Sequence, residues 1–164
     1  MEIRMVDTIT QYQNIQQEID QAVLDVVRSG RYINGPVVKQ FAQDLSSYLE
    51  DAHVIPCANG TDALQIALMA LDLQPGDEII TPTFTYVATV EVIALLRLKP
   101  VFVEVDPHTF NIDPATLEAA ITPKTKVIMP VHLYGQAADM EPVMEIAQKY
   151  GLYIVEDTAQ AIGA

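Results

Sequence analysis

Residues 75–89 read PGDEIITPTFTYVAT, and this stretch decides the fold. Pro75-Gly76-Asp77 is a turn signal. The short apolar run Glu78-Ile79-Ile80 follows it, and a helical stretch then extends over about 86–97. A strand that leads into a helix is the first half of a βαβ unit, so the stretch predicts a parallel sheet.

Short apolar runs and helices alternate on both sides of this stretch. Val54-Ile55 precedes a helix predicted over about 61–72. Further runs lie at 101–105, 127–131 and 152–155. Strands of a parallel sheet are covered on both faces, so they are continuous apolar runs in the sequence. We therefore predict an α/β fold with a mainly parallel sheet flanked by helices.

The first 52 residues have a different pattern and are predicted to form an N-terminal helical segment. Apolar residues recur at helical spacing up to Val27, and Ser29-Gly30 is a stop signal. A second helix is predicted to begin at Pro36, because proline is favoured in the first turn of a helix. Residues 53–164 are predicted to form the α/β domain.

The composition is typical of a folded domain and excludes several functional classes. Of 164 residues, 50% are hydrophobic and 19% are charged. The net charge of −13 disfavours nucleic acids and anionic membranes as partners. The start of the chain, residues 1–7, lacks the basic and apolar regions of a signal peptide, and no apolar run approaches the ~20 residues of a membrane span. These observations predict a cytoplasmic protein.

The sequence does not indicate a metal, disulfide or dinucleotide site. The single cysteine, Cys57, excludes an intrachain disulfide and is expected to be a small buried residue. His53, His108 and His132 have no metal-ligand spacing, so we expect surface histidines or hydrogen-bonded core histidines. The sequence contains no G-x-G-x-x-G fingerprint.

A first segment with candidate chemistry, Cys57 to Leu64, joins a predicted strand to a helix. Gly60 lets the backbone approach a ligand closely, and the N–H groups at the start of the helix attract an anion. Thr61 adds a hydroxyl. These features predict a phosphate cradle; the alternative interpretation is that Asn59 or Thr61 only caps the helix.

A second segment, residues 81–89, is rich in hydroxyl groups and contains two aromatic residues, Phe84 and Tyr86. It leaves a strand at the edge of the sheet where Gly60 is also expected. An aromatic ring there can stack on a planar ligand. The alternative is packing in the core, which we favour for Phe84.

A third segment places two carboxylates, Glu156 and Asp157, directly after a buried strand. Neighbouring side chains of an extended segment point to opposite faces, so these two residues are expected to have different roles. One carboxylate at the same edge as Gly60 is suited to hold a protonated heteroaromatic nitrogen, as the Asp partner of a pyridoxal phosphate ring does. The alternative is that Asp157 caps a helix.

Together, the segments resemble the pyridoxal-phosphate-dependent nucleotide-sugar aminotransferases of the DegT/StrS type. The resemblance covers nearly the whole chain. The matching motifs lie at 31–36, 59–64, 75–82, 86–89, 130–135 and 156–164. The resemblance implies the large domain of fold-type I pyridoxal phosphate enzymes, incomplete at the C-terminus.

The resemblance also implies roles for individual residues. Gly60 and Thr61 would bind the phosphate of pyridoxal 5'-phosphate, and the ring of Tyr86 would stack on the pyridine. Asp157 would pair with the ring nitrogen, and Gln160 would bond the ring hydroxyl.

Tyr32 and Tyr134 lie in matching motifs and are candidate substrate contacts. Thr158 and Ile162 differ from residues that are often found at these positions in the family, Ala and His, so no substrate subgroup is predicted.

The Schiff-base lysine of the family lies well after the position of Asp157, so we expect it beyond Ala164 and expect no catalytic residue within this chain. Five lysines precede Asp157 outside any matching motif: Lys39, Lys99, Lys124, Lys126 and Lys149. Family members are also longer than this chain. We therefore expect an N-terminal fragment that is inactive by itself.

For the whole protein, the resemblance implies transfer of an amino group from glutamate to a keto group of a nucleotide-linked sugar. It also implies a homodimer with shared active sites, with no nucleic acid and no membrane as partners. Two alternatives within the family remain open: a dehydratase with histidine in place of the lysine, and a non-catalytic regulatory protein. A generic acidic nucleotide-binding domain is a third.

Overall fold

The computed structural model of the chain describes residues 6–164. Most of the segment from which we predict the absence of a signal peptide, residues 1–5, lies outside the described residues. The chain divides into two compact units between Pro56 and Cys57. The domain division predicted between residues 52 and 53 stays a prediction.

The first unit contains two helices, α1 (Thr8–Ser29) and α2 (Pro36–Tyr48). The side chain of Asp7 caps α1 by accepting a hydrogen bond from the backbone N–H of Thr10. Gly30, with a φ of 65°, ends α1 in the left-handed conformation that glycine adopts easily. Both predicted helices and both predicted signals are confirmed.

The second unit is built on a four-stranded parallel sheet in the order β2-β1-β3-β4. Its strands are β1 (Glu78–Pro82), β2 (Lys99–Val103), β3 (Thr125–Ile128) and β4 (Tyr153–Ile154). Its helices are α3 (Gly60–Met69), α4 (Val87–Leu95), α5 (Leu117–Ala120) and α6 (Met140–Tyr150). The predicted α/β fold with a parallel sheet is confirmed. Within residues 6–164, no helix combines the length and the apolar character needed to cross a bilayer.

The central strand of the sheet is covered on both faces by helices. All five residues of the central strand β1 are buried. Ile79 packs in one cluster with side chains of α3 and α4, and Ile80 packs in a second cluster with side chains of α5 and α6. Successive residues of one strand thus belong to opposite faces, as the pleat of a strand requires.

The prediction of a strand at Val54-Ile55 is wrong, and so is the prediction that Cys57 is buried. Residues 52–57 form neither helix nor strand, and Ile55 is 81% exposed. The run is only two residues long and is followed by Pro56, which has no N–H to donate to a neighbouring strand. Cys57 is exposed because the segment before it does not join the sheet.

The carboxyl ends of the strands bring distant segments together. Asp157 forms a parallel bridge with Val131, just beyond the end of β3. The N–H of Asp157 donates to the carbonyl of Pro130 at 3.0 Å, and the N–H of His132 donates to the carbonyl of Asp157 at 3.0 Å. The backbone of Asp157 is therefore held on both sides at the edge where a ligand binds in open α/β sheets.

At the opposite edge of the sheet, Glu78 is a buried carboxylate, 4% exposed, at the start of β1. The hydroxyl of Thr122 donates to its Oε2, and Nζ of Lys99 lies 2.9 Å from its Oε1. The hydrogen bond from Thr122, followed by that from Lys99, lowers the pKa of Glu78 below its usual value.

This lowered pKa predicts a dependence of stability on pH. The carboxylate stabilises the fold above its unfolded-state pKa of about 4.3, and that contribution is lost as the pH falls through the lower folded-state pKa. We expect Glu78→Gln to reduce the free energy of unfolding at neutral pH by about 1–3 kcal/mol, because two buried hydrogen bonds to a charge are weakened. The variant should also lose less stability in acid, as measured by urea unfolding at several pH values.

A control is Glu118→Gln, which removes an exposed ion pair with Lys149. Exposed pairs contribute little, so the unfolding curves of this variant should follow those of the wild type. If the free energy of unfolding of Glu78→Gln decreased in acid by as much as that of the wild type, the proposed contribution of the Glu78 carboxylate would be wrong.

Candidate functional site

A cavity of about 250 Å³ opens at the carboxyl edge of the sheet. The residues that line it come from the start of α3, the loop and first turn around the start of α4, the end of β3 and the loop after β4. They are Gly60, Thr61, Leu64, Tyr86, Ala88, Val131, Asp157, Ala159 and Gln160. The structure thus brings together all five residues to which the resemblance assigns cofactor contacts, while the roles themselves stay predictions.

One wall of the cavity is the first turn of α3. Asn59 caps this helix, because its Oδ1 accepts a hydrogen bond from the backbone N–H of Asp62 at 2.9 Å. A helix leaves several N–H groups at its start without a partner inside the helix, and the cap satisfies one of them. A side-chain carbon placed on Gly60 would meet no atom within 4 Å, so the space next to this backbone is open to a ligand. The observed cap is therefore compatible with the predicted phosphate cradle, which stays a prediction.

A second wall is the aromatic side chain of Tyr86. Tyr86 precedes the first residue of α4 in an extended conformation, and it is 68% exposed. The expectation that Phe84 packs in the core is wrong. Phe84 is 45% exposed and packs against Phe110 and Tyr134, with ring centroids 5.7 and 6.5 Å away. The reason is that β1 ends at Pro82, so Phe84 lies beyond the covered part of the sheet.

The two neighbouring carboxylates have different surroundings, as predicted. Glu156 is half-exposed, and its Oε2 lies 2.9 Å from Nε2 of His132. Asp157 is buried and lines the cavity. Residues 159–163 after Asp157 form turns, and the alternative in which Asp157 caps a helix stays a prediction.

The carboxylate of Asp157 is held by hydrogen bonds and not by a cation. Oδ1 accepts from the backbone N–H of Ala159 at 3.2 Å, and Oδ2 accepts from the hydroxyl of Thr89 at 3.0 Å. Among residues 6–164, no Lys, Arg or His forms an ion pair with Asp157. Burying a carboxylate without a positive partner costs free energy of folding. A cationic group in the cavity would offset this cost by pairing with Asp157.

The side chain of Gln160 is oriented by the backbone. Its Oε1 accepts a hydrogen bond from the N–H of Tyr134 at 3.0 Å. This leaves the Nε2 hydrogens of the amide as the groups that can donate to a ligand. Tyr134 has a positive φ of 55°, which is uncommon for a bulky residue and is found most often near functional sites.

Tyr32, the other candidate substrate contact, is in the first unit. It lies in the loop before α2 and lines a separate cavity of about 620 Å³. Its hydroxyl donates to the carbonyl of Val27 at 2.9 Å, and the residue is 64% exposed. The role of Tyr32 as a substrate contact stays a prediction.

His132 is a hydrogen-bonded core histidine. This is one of the two environments, surface or core, that the sequence predicts for the histidines. Its Nδ1 accepts from the backbone N–H of Ala138 at 3.0 Å, so in the neutral ring the proton is on Nε2 and is donated to Glu156. His53 and His108 are exposed. In the part of the chain that the structure describes, no group of His, Cys, Asp and Glu residues is arranged to hold a metal ion.

The contact between Thr89 and Asp157 is not predicted from the sequence, in which Thr89 is one of several hydroxyl residues of the segment 81–89. Thr89 and Asp157 lie on different elements, so only the fold reveals their hydrogen bond. The sequence feature that indicates this contact is a threonine in the first turn of a helix. The start of this helix is predicted to lie at the edge of the sheet where a ligand binds.

With this geometry established, comparison with known proteins becomes informative. The sequence profile of the DegT/DnrJ/EryC1/StrS aminotransferase family matches residues 13–164. A relative from Pseudomonas aeruginosa, UDP-2-acetamido-2-deoxy-3-oxo-D-glucuronate aminotransferase, is 52% identical over 99% of this chain and 45% of its own length. A second relative, from Geobacillus stearothermophilus, is named a pleiotropic regulatory protein and is 52% identical over 100% of this chain and 44% of its own length.

Solved structures share the fold. The crystal structure of NtdA from Bacillus subtilis, with bound cofactor PMP, has a TM-score of 0.87 and 42% sequence identity to this chain. The match covers 92% of this chain and 34% of that one. This chain therefore spans less than half the length of the relatives that it matches.

The environment of His132 yields a testable prediction. His132→Leu leaves the buried N–H of Ala138 without an acceptor, so we expect the free energy of unfolding to fall by about 1–3 kcal/mol. The matched variant is His108→Leu, which changes an exposed ring and should have little effect. Both are measured by urea unfolding; equal losses in the two variants would contradict the proposed role of the buried ring.

Proposed function

The chain belongs to the DegT/DnrJ/EryC1/StrS aminotransferase family, and from this premise we propose that the whole protein is a pyridoxal-phosphate-dependent sugar aminotransferase. It transfers an amino group from glutamate to a keto group of a nucleotide-linked sugar. The observation that carries the proposal is Asp157, a buried carboxylate without a cationic partner among the described residues, in a cavity that also contains the start of α3.

The chemistry of the cavity fits pyridoxal phosphate. The start of α3 attracts a negatively charged phosphate, and Asp157 attracts a positively charged ring nitrogen. The open space next to Gly60 allows the phosphate to approach the backbone. Tyr86 offers an aromatic face for a planar ring. The positive end of α3 and the negative carboxylate of Asp157 thus complement the phosphate and the ring nitrogen of the cofactor.

Each residue then has a defined task. Gly60 and Thr61 bind the phosphate, Tyr86 contacts the ring, and Gln160 donates to the ring hydroxyl through Nε2. Asp157 holds a proton on the ring nitrogen. When bound, pyridoxal phosphate supplies an aromatic ring that accepts the electron pair released at the substrate carbon, and a protonated nitrogen makes that ring a better acceptor.

The lysine that would bind the cofactor covalently is proposed to come from outside the described residues. No lysine of residues 6–164 lines the cavity of Asp157. In this proposal, the chain supplies the phosphate cradle and the partner of the ring nitrogen. Residues 53–164 form part of the large domain.

The substrate, partner and location are supported less directly. The name of the Pseudomonas aeruginosa relative supports a nucleotide-linked sugar as the amino acceptor. Glutamate as donor, and a homodimer with shared active sites, follow from the family resemblance. Tyr134, beside Gln160 at the edge of the sheet, is proposed to contact the substrate, and Tyr32 remains a second candidate. A cytoplasmic location stays a prediction.

One specific observation favours a second candidate function. The relative from Geobacillus stearothermophilus, as similar to this chain as the aminotransferase from Pseudomonas aeruginosa, is named a regulatory protein. A protein with that function would use the same cavity to bind the cofactor or a ligand like it, without transferring an amino group.

The experiment that separates the two candidates is a half-reaction on the whole protein loaded with pyridoxal phosphate. We expect glutamate to convert the bound cofactor into pyridoxamine phosphate, which is quantified by chromatography after denaturation. A UDP-linked 3-keto sugar should reverse the conversion. Binding of pyridoxal phosphate without any conversion would contradict the aminotransferase and favour the regulatory function.

The same experiment includes a matched pair of variants. Asp157→Asn removes the charge that holds the proton on the ring nitrogen, so we expect conversion to slow by about 100-fold or more. Glu156→Gln changes the neighbouring carboxylate, and its amide oxygen can still accept from His132, so conversion should stay near the wild-type rate. Equal rates in the two variants would remove Asp157 from the proposed mechanism.

A further inference from the structure

We propose that Thr89 is a positioning residue that acts through Asp157. The hydroxyl of Thr89 orients the carboxylate of Asp157 toward the ring nitrogen. This inference rests on the proposed function, since it concerns the same cavity. The resemblance assigns no role to Thr89.

The hydrogen bond between the two residues is buried and has a defined direction. Thr89 is 0% exposed, and its Oγ1 lies 3.0 Å from Oδ2 of Asp157. An ionised carboxylate only accepts hydrogen bonds, so the single hydrogen of the threonine hydroxyl is donated to Asp157. A hydrogen bond of this kind to a charged group is among the stronger ones in proteins.

A second threonine completes a short chain of hydroxyl groups. Oγ1 of Thr85 lies 2.9 Å from Oγ1 of Thr89. Because the hydrogen of Thr89 is donated to Asp157, Thr85 is the donor in this pair, and its hydroxyl also lies 3.4 Å from the carbonyl of Tyr86. Hydrogen bonds in such chains polarise one another, so Thr85 strengthens the bond from Thr89 to Asp157.

The two donors to Asp157 together determine where its carboxylate points. Ala159 donates to Oδ1 from the loop after β4, and Thr89 donates to Oδ2 from α4. The backbone of Asp157 is held by Pro130 and His132. The carboxylate is therefore constrained by three segments of the chain, and its remaining acceptor capacity serves a ligand in the cavity that Asp157 lines.

The alternative is that Thr89 has a purely structural role. In that case, the hydrogen bond would only join α4 to the loop after β4, as many buried threonines join two elements. Thr81 is such a residue: it is 0% exposed, and its Oγ1 donates to the carbonyl of Met129 at 3.2 Å. Thr81 provides the matched control, because it is an equally buried hydroxyl that has no bond to Asp157.

The test compares two ligands on the whole protein. One is pyridoxal phosphate, and the other is its 1-deaza analogue, in which a C–H group replaces the ring nitrogen. The dissociation constants of both ligands are measured by absorbance titration. We expect the wild type to prefer pyridoxal phosphate, because only this ligand offers Asp157 a protonated nitrogen.

Thr89→Val should weaken the binding of pyridoxal phosphate by about tenfold or more while changing that of the analogue much less, so the preference is reduced. Thr89→Ser retains the hydroxyl and should restore the preference. Thr81→Val should lower the melting temperature and leave the preference unchanged. If Thr89→Val does not fold, Thr89→Ala removes the same hydroxyl and allows the same comparison.

The outcomes separate this inference from the proposed function. If Thr89→Val weakened the binding of both ligands by the same factor, Thr89 would be a structural residue and the inference would be overturned. If the wild type did not discriminate between the two ligands, the role of Asp157 and with it the proposed function would fail. A reduced preference in both Thr89→Val and Thr81→Val would also overturn the inference, since any buried hydroxyl would then have the same effect.

Discussion

The buried carboxylate of Asp157 is the constraint on which the site depends. Its cost is offset by hydrogen bonds from Ala159 and Thr89, and no cation among the described residues pairs with it. This arrangement keeps a negative charge directed at the cavity without neutralising it. A cationic nitrogen of a ligand is then attracted more strongly than it would be by an exposed carboxylate, because Asp157 is already removed from bulk water.

The parallel sheet explains why such a charge can be held there. Strands β1, β3 and β4 run in the same direction, so the segments that follow them emerge at one edge. The bridge between Val131 and Asp157 extends the pairing of β3 and β4 beyond the named strands. The same edge contains the start of α3, so the N-terminus of a helix and the buried carboxylate of Asp157 line one cavity. Glu78, at the other edge, by contrast forms an ion pair with Lys99.

Much of this arrangement is predictable from the sequence, because it follows from local patterns. The strand at Glu78-Ile79-Ile80 is predictable from its apolar run, and the end of α1 at Gly30 is predictable from the glycine. The different surroundings of Glu156 and Asp157 follow from the pleat of an extended segment. The order of the strands and the partners of each side chain depend on contacts between distant segments. For this reason the hydrogen bond from Thr89 to Asp157 could not be predicted.

The incorrect predictions have a common cause. Val54-Ile55, Cys57 and Phe84 were all expected to be buried or paired because they are apolar. Burial requires a covering element, and none covers these residues in their own compact units: Ile55 is 81% exposed and Phe84 is 45% exposed. Apolar residues are buried where another element covers them, as for Ile79 and Ile80 on the central strand and for Val92 and Ile93 on α4.

The most direct test of the central claim is the ¹⁵N NMR chemical shift of pyridoxal phosphate labelled at the ring nitrogen and bound to the whole protein. Our account predicts the shift of a protonated pyridine at neutral pH, maintained by Asp157, and the shift of an unprotonated pyridine in Asp157→Asn. An unprotonated nitrogen in the wild type, or the same shift in both proteins, would contradict it.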